Sequence, residues 1–152
     1  RAQDAAVIEG VPFVRQKDSF CGPAAMASVM KYYGQDVTQE EVAEEVYIPE
    51  LNGALISDME NYAIAEGYEV TSVKGDMEAL RKLIEDNVPV ILLVERGKWK
   101  VSNPHYYVVY GYDDGKGVFI LHDGYDSGKK VDSDKLDGEW KKMNRLMLVI
   151  RK

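Results

Sequence analysis

A helix that begins on a cysteine constrains this chain more than any other feature. Residues 11–34 read VPFVRQKDSFCGPAAMASVMKYYG, and they hold the single cysteine, Cys21. Ala25, Met26, Val29, Met30 and Tyr33 recur at three- and four-residue steps, the spacing of one helix face. Pro23 suits the first helical turn, where its missing N–H would have no intrahelical partner. Gly34 suits the C-terminal end. Cys21 therefore falls at a helix N-terminus, where free backbone N–H groups and the helix dipole favour an anion. A thiol so placed is expected to have a lowered pKa and to supply thiolate, the nucleophilic form. Gln16, five residues upstream, can offer side-chain N–H donors beside the sulfur. The competing reading is a small buried apolar residue, as most free cysteines are. A core cysteine, however, has no need of Gly-Pro after it.

The rest of the chain reads as helices first and strands afterwards. Residues 1–10 form a polar lead-in, and 11–14 an edge strand or extended arm broken by Pro12. Thr38 and Glu41 make a capping box for a short acidic helix ending near Val46. Ile48-Pro49 breaks it, and Asn52-Gly53 turns the chain. A helix is expected over 57–65, closed by Gly67, and a strand over 68–73. Asp76 caps a helix whose stripe is Met77, Leu80, Leu83 and Ile84. Residues 89–94 (PVILLV) are a buried strand, and 95–104 a loop carrying Trp99. Residues 105–113 (HYYVVYGYD) form a long strand rich in Tyr and Val. Asp114-Gly115-Lys116-Gly117 is a hairpin turn, and 118–121 return as the partner strand. A loop over 123–130, a short helix near 134–140 and a last strand over 145–150 complete an α+β domain, taken as residues 11–152.

Charge excludes some functions. The chain has 152 residues, 26 acidic and 19 basic, for a net charge of -7. An acidic surface argues against nucleic-acid binding, which needs cations to neutralise phosphates. It argues equally against docking on an anionic membrane. No metal site is expected, because C-x-x-C and H-x-x-x-H spacings are absent from the sequence. The aspartates near the C-terminal turns do not match a calcium loop.

Two histidines are available to work with Cys21. His105 opens the long strand, and His122 ends its partner, followed by Asp123. A Cys–His pair with a third group that orients the ring is the thiol form of the catalytic triad. Successive strand residues face opposite ways, so only one of His122 and Asp123 can face His105. Asp123 there completes a triad, whereas His122 there supplies no carboxylate, and His122 is read as a structural strand residue. Asp126 and Asn103 are weaker third members. Gln16 and the Cys21 N–H are the natural oxyanion donors.

These residues resemble a known family. Gln16-x-x-x-x-Cys21-Gly22-Pro23-Ala24-Ala25, then His105-Tyr106 leading to Gly111-Tyr112-Asp113, then Asp123, are similar to the bacteriocin-processing double-glycine leader peptidases. That is family thirty-nine of the papain-like clan. Tyr47-Ile48-Pro49, Gly53, Gly67 and Gly75-Asp76 through Pro89-Val90 fall in the order of its stand-alone, single-domain members. The resemblance implies a papain-like fold with N-terminal helices packed on a C-terminal antiparallel β-sheet. It implies Cys21 as nucleophile, His105 as base and acid, Asp123 as orienter and Gln16 as oxyanion donor, with no cofactor. Its best-known members cut leader peptides after Gly-Gly and are fused to an ABC transporter, whereas this sequence carries no Walker motif. A peptide or protein substrate is expected, with Trp99, Tyr106 and Tyr107 as candidates to narrow the site for glycine. A monomer and a secreted or cell-envelope home are expected, and a lipid anchor ahead of Arg1 fits the stand-alone members. The competing functions are an amidase or acyl transferase on the same fold, a non-catalytic peptide-binding module, and a structural domain with an inert cysteine.

Overall fold

A computed structural model describes residues 4–152. Its centre is α1 (Cys21–Tyr32), buried on every side from Gly22 to Met30 rather than along one stripe. Ser28, in the middle of that run, is satisfied by donating to the Pro12 carbonyl at 2.6 Å. Residues 11–14 are the extended arm that supplies this acceptor, not a strand. The helix closes as its glycine dictates. Gly34 has φ +93, Gln35 N donates to Met30 O, and Gly34 N donates to Lys31 O, a left-handed C-terminal cap.

Local codes set most of the other boundaries. The Thr38–Glu41 capping box is formed and starts α2 (Gln39–Val46). β2 (Tyr47–Ile48) and β3 (Gly53–Ala54) pair across a short 3-10 turn at Pro49–Leu51. α3 (Ile56–Ala65) leads into β4 (Glu69–Lys74). The Asp76 carboxylate accepts from Ala79 N at 2.7 Å and caps α4 (Met77–Glu85). β5 (Val90–Glu95), β6 (Pro104–Asp113) and β7 (Val118–His122) follow.

Two segments depart from the sequence reading. Ala5–Val7, within the expected lead-in, forms β1 and pairs antiparallel with residues 111–113 of β6. It continues the edge of β6 that β5 occupies up to Val90–Val109. Three residues are too short for a periodic signal, and this strand exists through the partner it meets. Residues 129–132, half inside the expected loop, form β8 (Lys129–Asp132) against β7. α5 (Ser133–Lys141) and β9 (Leu146–Arg151) end the chain.

The large sheet runs β4-β9-β5-β6-β7-β8, with β1 added to β6, and every pairing is antiparallel. α1 packs on β6 from one face. On the other, the Tyr107 hydroxyl meets Glu139 of α5. With both faces covered, β6 is buried from His105 to Val109. Helices packed on an antiparallel sheet are the α+β arrangement that the element order implies, and the one that the family resemblance describes as papain-like. Among the described residues no helix is long and apolar enough to cross a membrane.

Candidate active site

The site lies where β6 outruns β7. The β6–β7 ladder stops at Val108–His122, so the start of β6 has no β7 strand beside it. The N-terminus of α1 approaches there. Gly22 makes this approach feasible. A Cβ on it would stand 3.1 Å from Ala54 Cβ, 3.2 Å from Met59 Sδ and 3.4 Å from Tyr106 Cε2. The glycine after the cysteine thus reflects close packing against β3 and β6.

Cys21 is half-buried and free. Burial pushes its thiol pKa up, and the backbone N–H groups of Tyr106, Gly22 and Cys21 itself only partly oppose this. The expected lowering is therefore corrected: the helix terminus does not offset the loss of water around the sulfur. Among the described residues no hydrogen bond joins Cys21 to His105. Cys21 instead borders the backbone of the next residue, Tyr106.

His105 is buried, and its Nε2 donates to the Asp123 backbone carbonyl at 2.5 Å. A carbonyl only accepts, so the hydrogen sits on Nε2 and Nδ1 keeps its lone pair. Burial lowers the pKa of His105, against the opposing hydrogen bond to Asp123. The ring is thereby held neutral.

Asp123 meets His105 through its main chain. Its carboxylate is occupied elsewhere: Oδ1 accepts from Tyr125 N at 2.9 Å and Asp126 N at 2.7 Å, and Oδ2 faces Lys129 Nζ at 3.2 Å. Burial raises its pKa, but these donors outweigh it and the net shift is downward. Asp126 thus enters the turn through its backbone, and Asn103 donates its N–H to Glu95 at 2.6 Å.

His122 is saturated. Its Nε2 donates to Val11 O at 2.9 Å, and Nδ1 accepts from Gly128 N at 3.1 Å. It ties the arm and the 123–128 loop to the sheet, the structural role that its place in the sequence suggests. Gln16 stands beside the Asp123 turn. Its N–H donates to Gly124 O at 2.9 Å and its Nε2 to the Tyr125 hydroxyl at 3.1 Å, while Oε1 is buried without a partner among the described residues.

A groove of about 380 Å³ opens beside Cys21, lined largely by apolar groups that include Leu51, Ala54, Leu55, Leu93 and Tyr106. The Tyr106 hydroxyl donates to Ala54 O at 2.8 Å and so fixes one wall. Trp99 does not line this groove. It stands fully exposed on the β5–β6 loop with φ +58, beside Lys100 and Lys142. Tyr107 lies on the opposite face of β6 from Tyr106, its hydroxyl donating to Glu139 at 2.9 Å. Sequence reasoning also missed Tyr125, which stacks on His105 at 6.0 Å between centroids. Its signal is slight, an aromatic two residues after the candidate orienter.

No curated protein matches this chain. Solved structures do. The peptidase domain of Streptococcus ComA, a bifunctional ABC transporter involved in quorum sensing, is 27% identical with a TM-score of 0.76, over 93% of this chain and 98% of that one. A C39-like peptidase from Bacillus anthracis gives a TM-score of 0.80 at 18% identity, over 99% and 98%. A double-glycine motif protease from an AMS/PCAT transporter, solved with its leader peptide, gives 0.75 at 20% identity, over 98% and 99%. The last two show the shared fold. The Peptidase C39 like family matches residues 8–148, which takes in Cys21, His105 and Asp123. With that match over nearly the whole chain, the protein belongs to the peptidase C39-like family of cysteine peptidases.

Proposed function

We propose that this chain hydrolyses a peptide bond, with Cys21 as nucleophile, His105 as base and acid, and Gln16 with the Cys21 N–H as oxyanion donors. The observation that carries the reading is the His105 ring. Its Nε2 donates to Asp123 O at 2.5 Å, leaving Nδ1 as the basic nitrogen one residue along β6 from the backbone bordering Cys21.

The chemistry follows from the resting charges. A thiol pushed up and an imidazole pushed down disfavour a preformed ion pair. Deprotonation then accompanies attack. As Nδ1 takes the thiol proton, sulfur bonds the substrate carbonyl carbon, and the oxyanion is held by Gln16 Nε2 and the Cys21 N–H. The C–N bond breaks, the departing amine takes the proton from Nδ1, and a thioester remains. Water attacks it, giving a proton to Nδ1, and the thiol leaves with that proton restored. Asp123 holds the ring in the working tautomer throughout.

The leader peptide bound by the AMS/PCAT relative supports a peptide substrate. Ala54 and Tyr106 line the groove at Cys21, and cleavage after Gly-Gly is part of the proposal, supported by the double-glycine motif protease among the similar structures. The resemblance to stand-alone members supports a cell-envelope or secreted home.

The test uses a peptide ending in Gly-Gly-aminomethylcoumarin. Release of fluorophore that Cys21→Ala and His105→Ala each reduce by more than about a hundredfold supports the reading. Hydrolysis that survives either change removes that residue from the site.

A further inference from the structure

Tyr125 has a part in none of the steps above, yet it touches His105, Gln16 and Asp123. Its ring stacks on the His105 imidazole, with centroids 6.0 Å apart and planes inclined by 15°. Its hydroxyl accepts from Gln16 Nε2 at 3.1 Å. Its backbone N–H donates to Asp123 Oδ1 at 2.9 Å, and its carbonyl accepts from Arg15 Nη1 at 3.2 Å. The preceding residue is adapted to this arrangement. Gly124 has φ +90, and a Cβ there would fall 2.1 Å from Gln16 Oε1. Only a glycine lets the chain pass Gln16 and bring Tyr125 over His105.

We infer that Tyr125 is a positioning residue for hydrolysis, its ring covering the His105 imidazole and its hydroxyl aiming the Gln16 amide at the oxyanion. The inference rests on the proposed roles of Cys21, His105 and Gln16.

Burial supports the first part. His105 is 5% exposed, whereas Tyr125 is 50% exposed, so the tyrosine stands between imidazole and water. Tyr107 closes another side of the ring at 5.7 Å, edge-on. The charged groups facing His105 are Asp123, Arg96 and Glu139. Burial lowers the His105 pKa. With the Tyr125 ring stacked on the imidazole, the inference makes that ring part of the cover, so that uncovering the imidazole returns its titration upward. Hydrogen-bond chemistry supports the second part. The Gln16 amide nitrogen has two N–H groups, and giving one to a fixed hydroxyl holds the other in one direction, as a preorganised donor requires.

Two substitutions separate these roles: Tyr125→Phe keeps the ring and loses the hydroxyl, and Tyr125→Ala loses both. Three readouts are needed, namely NMR titration of His105 with His122 as internal reference, alkylation of Cys21 by iodoacetamide against pH, and hydrolysis of the Gly-Gly-aminomethylcoumarin peptide. In Tyr125→Ala the His105 titration is expected to move up toward an ordinary histidine while His122 stays in place. Hydrolysis should fall by about tenfold or more. In Tyr125→Phe the titration and the alkylation profile stay as in the wild type. Hydrolysis then falls about three- to tenfold, in kcat rather than KM, because the oxyanion exists only in the transition state. An unmoved His105 titration in Tyr125→Ala, or undiminished hydrolysis in Tyr125→Phe, overturns the inference. His105→Ala separates the two failures. If it abolishes hydrolysis while both Tyr125 variants behave as wild type, only the role of Tyr125 falls. If it leaves alkylation and hydrolysis unchanged, the proposed site falls and Tyr125 with it.

Discussion

His105 donates from Nε2 to the backbone carbonyl of Asp123 at 2.5 Å, while the Asp123 carboxylate is held by Tyr125 N, Asp126 N and Lys129. The side chain thus builds the turn, and the turn aims the carbonyl. A carbonyl, like a carboxylate, accepts from the ring N–H and so fixes the imidazole tautomer.

This division of labour separates two substitutions at one position. Asp123→Asn keeps an oxygen for Tyr125 N and Asp126 N and keeps the carbonyl, so kcat/KM should stay within about tenfold of wild type. Asp123→Ala releases the turn and should cost more than Asn, though less than loss of Cys21 or His105. Equal losses in Asn and Ala, measured on the Gly-Gly-aminomethylcoumarin peptide, would show that the carboxylate itself acts on His105.

The pH dependence of Cys21 follows from its burial. An acid whose pKa is raised gives less anion at neutral pH, so alkylation by iodoacetamide should rise only above the ordinary thiol value of about 8.5. Hydrolysis should instead persist at neutral pH, because Nδ1 takes the proton during attack, and should fail on the acid side once His105 protonates. Since the His105 pKa is lowered, that acid limb should lie below about 6.5. Rapid alkylation well below pH ~7 would instead mean a preformed thiolate.

His122 should matter to folding and not to chemistry. Its replacement by Ala leaves Gly128 N and Val11 O without their partner and should destabilise by about 1–3 kcal/mol in urea unfolding, with the pH profile of Cys21 alkylation unchanged. Its lowered pKa gives the sign of the linkage. A neutral ring is favoured in the fold, so its contribution is complete above the unfolded value of about 6.5 and is lost as pH falls through the lower folded value. Acid sensitivity in that window should shrink in His122→Ala.

Gly22 tests the packing that brings helix and sheet together. Valine there must displace Ala54, Met59 and Tyr106, and overpacking of this kind costs about 1–3 kcal/mol. The melting temperature should drop, and hydrolysis should drop further because Tyr106 and the groove wall move with it. An unchanged melting temperature would mean that the contact relaxes without cost.

Much of this protein is written in short-range signals. Thr38 with Glu41, Asp76, Gly34 and the Asp114–Gly117 turn each satisfy backbone groups a few residues away, so the helices and the β6–β7 hairpin they bound are legible residue by residue. The nearness of Asp123 to His105 was legible too, because the hairpin brings the end of β7 toward the start of β6. Alternation pointed to the Asp123 carboxylate, whereas Asp123 lies past the strand and its backbone carbonyl makes the contact. Other features depend on partners distant along the chain. Ala5–Val7 becomes a strand by meeting residues 111–113, and β9 is inserted between β4 and β5 by pairings no local pattern encodes. Tyr125 reaches Gln16 from 109 residues away. The direction of the thiol shift was missed for the same reason. A helix N-terminus is a local property visible in Cys21-Gly22-Pro23, whereas desolvation sums over every element packed round the sulfur, and only the tertiary structure decides which prevails.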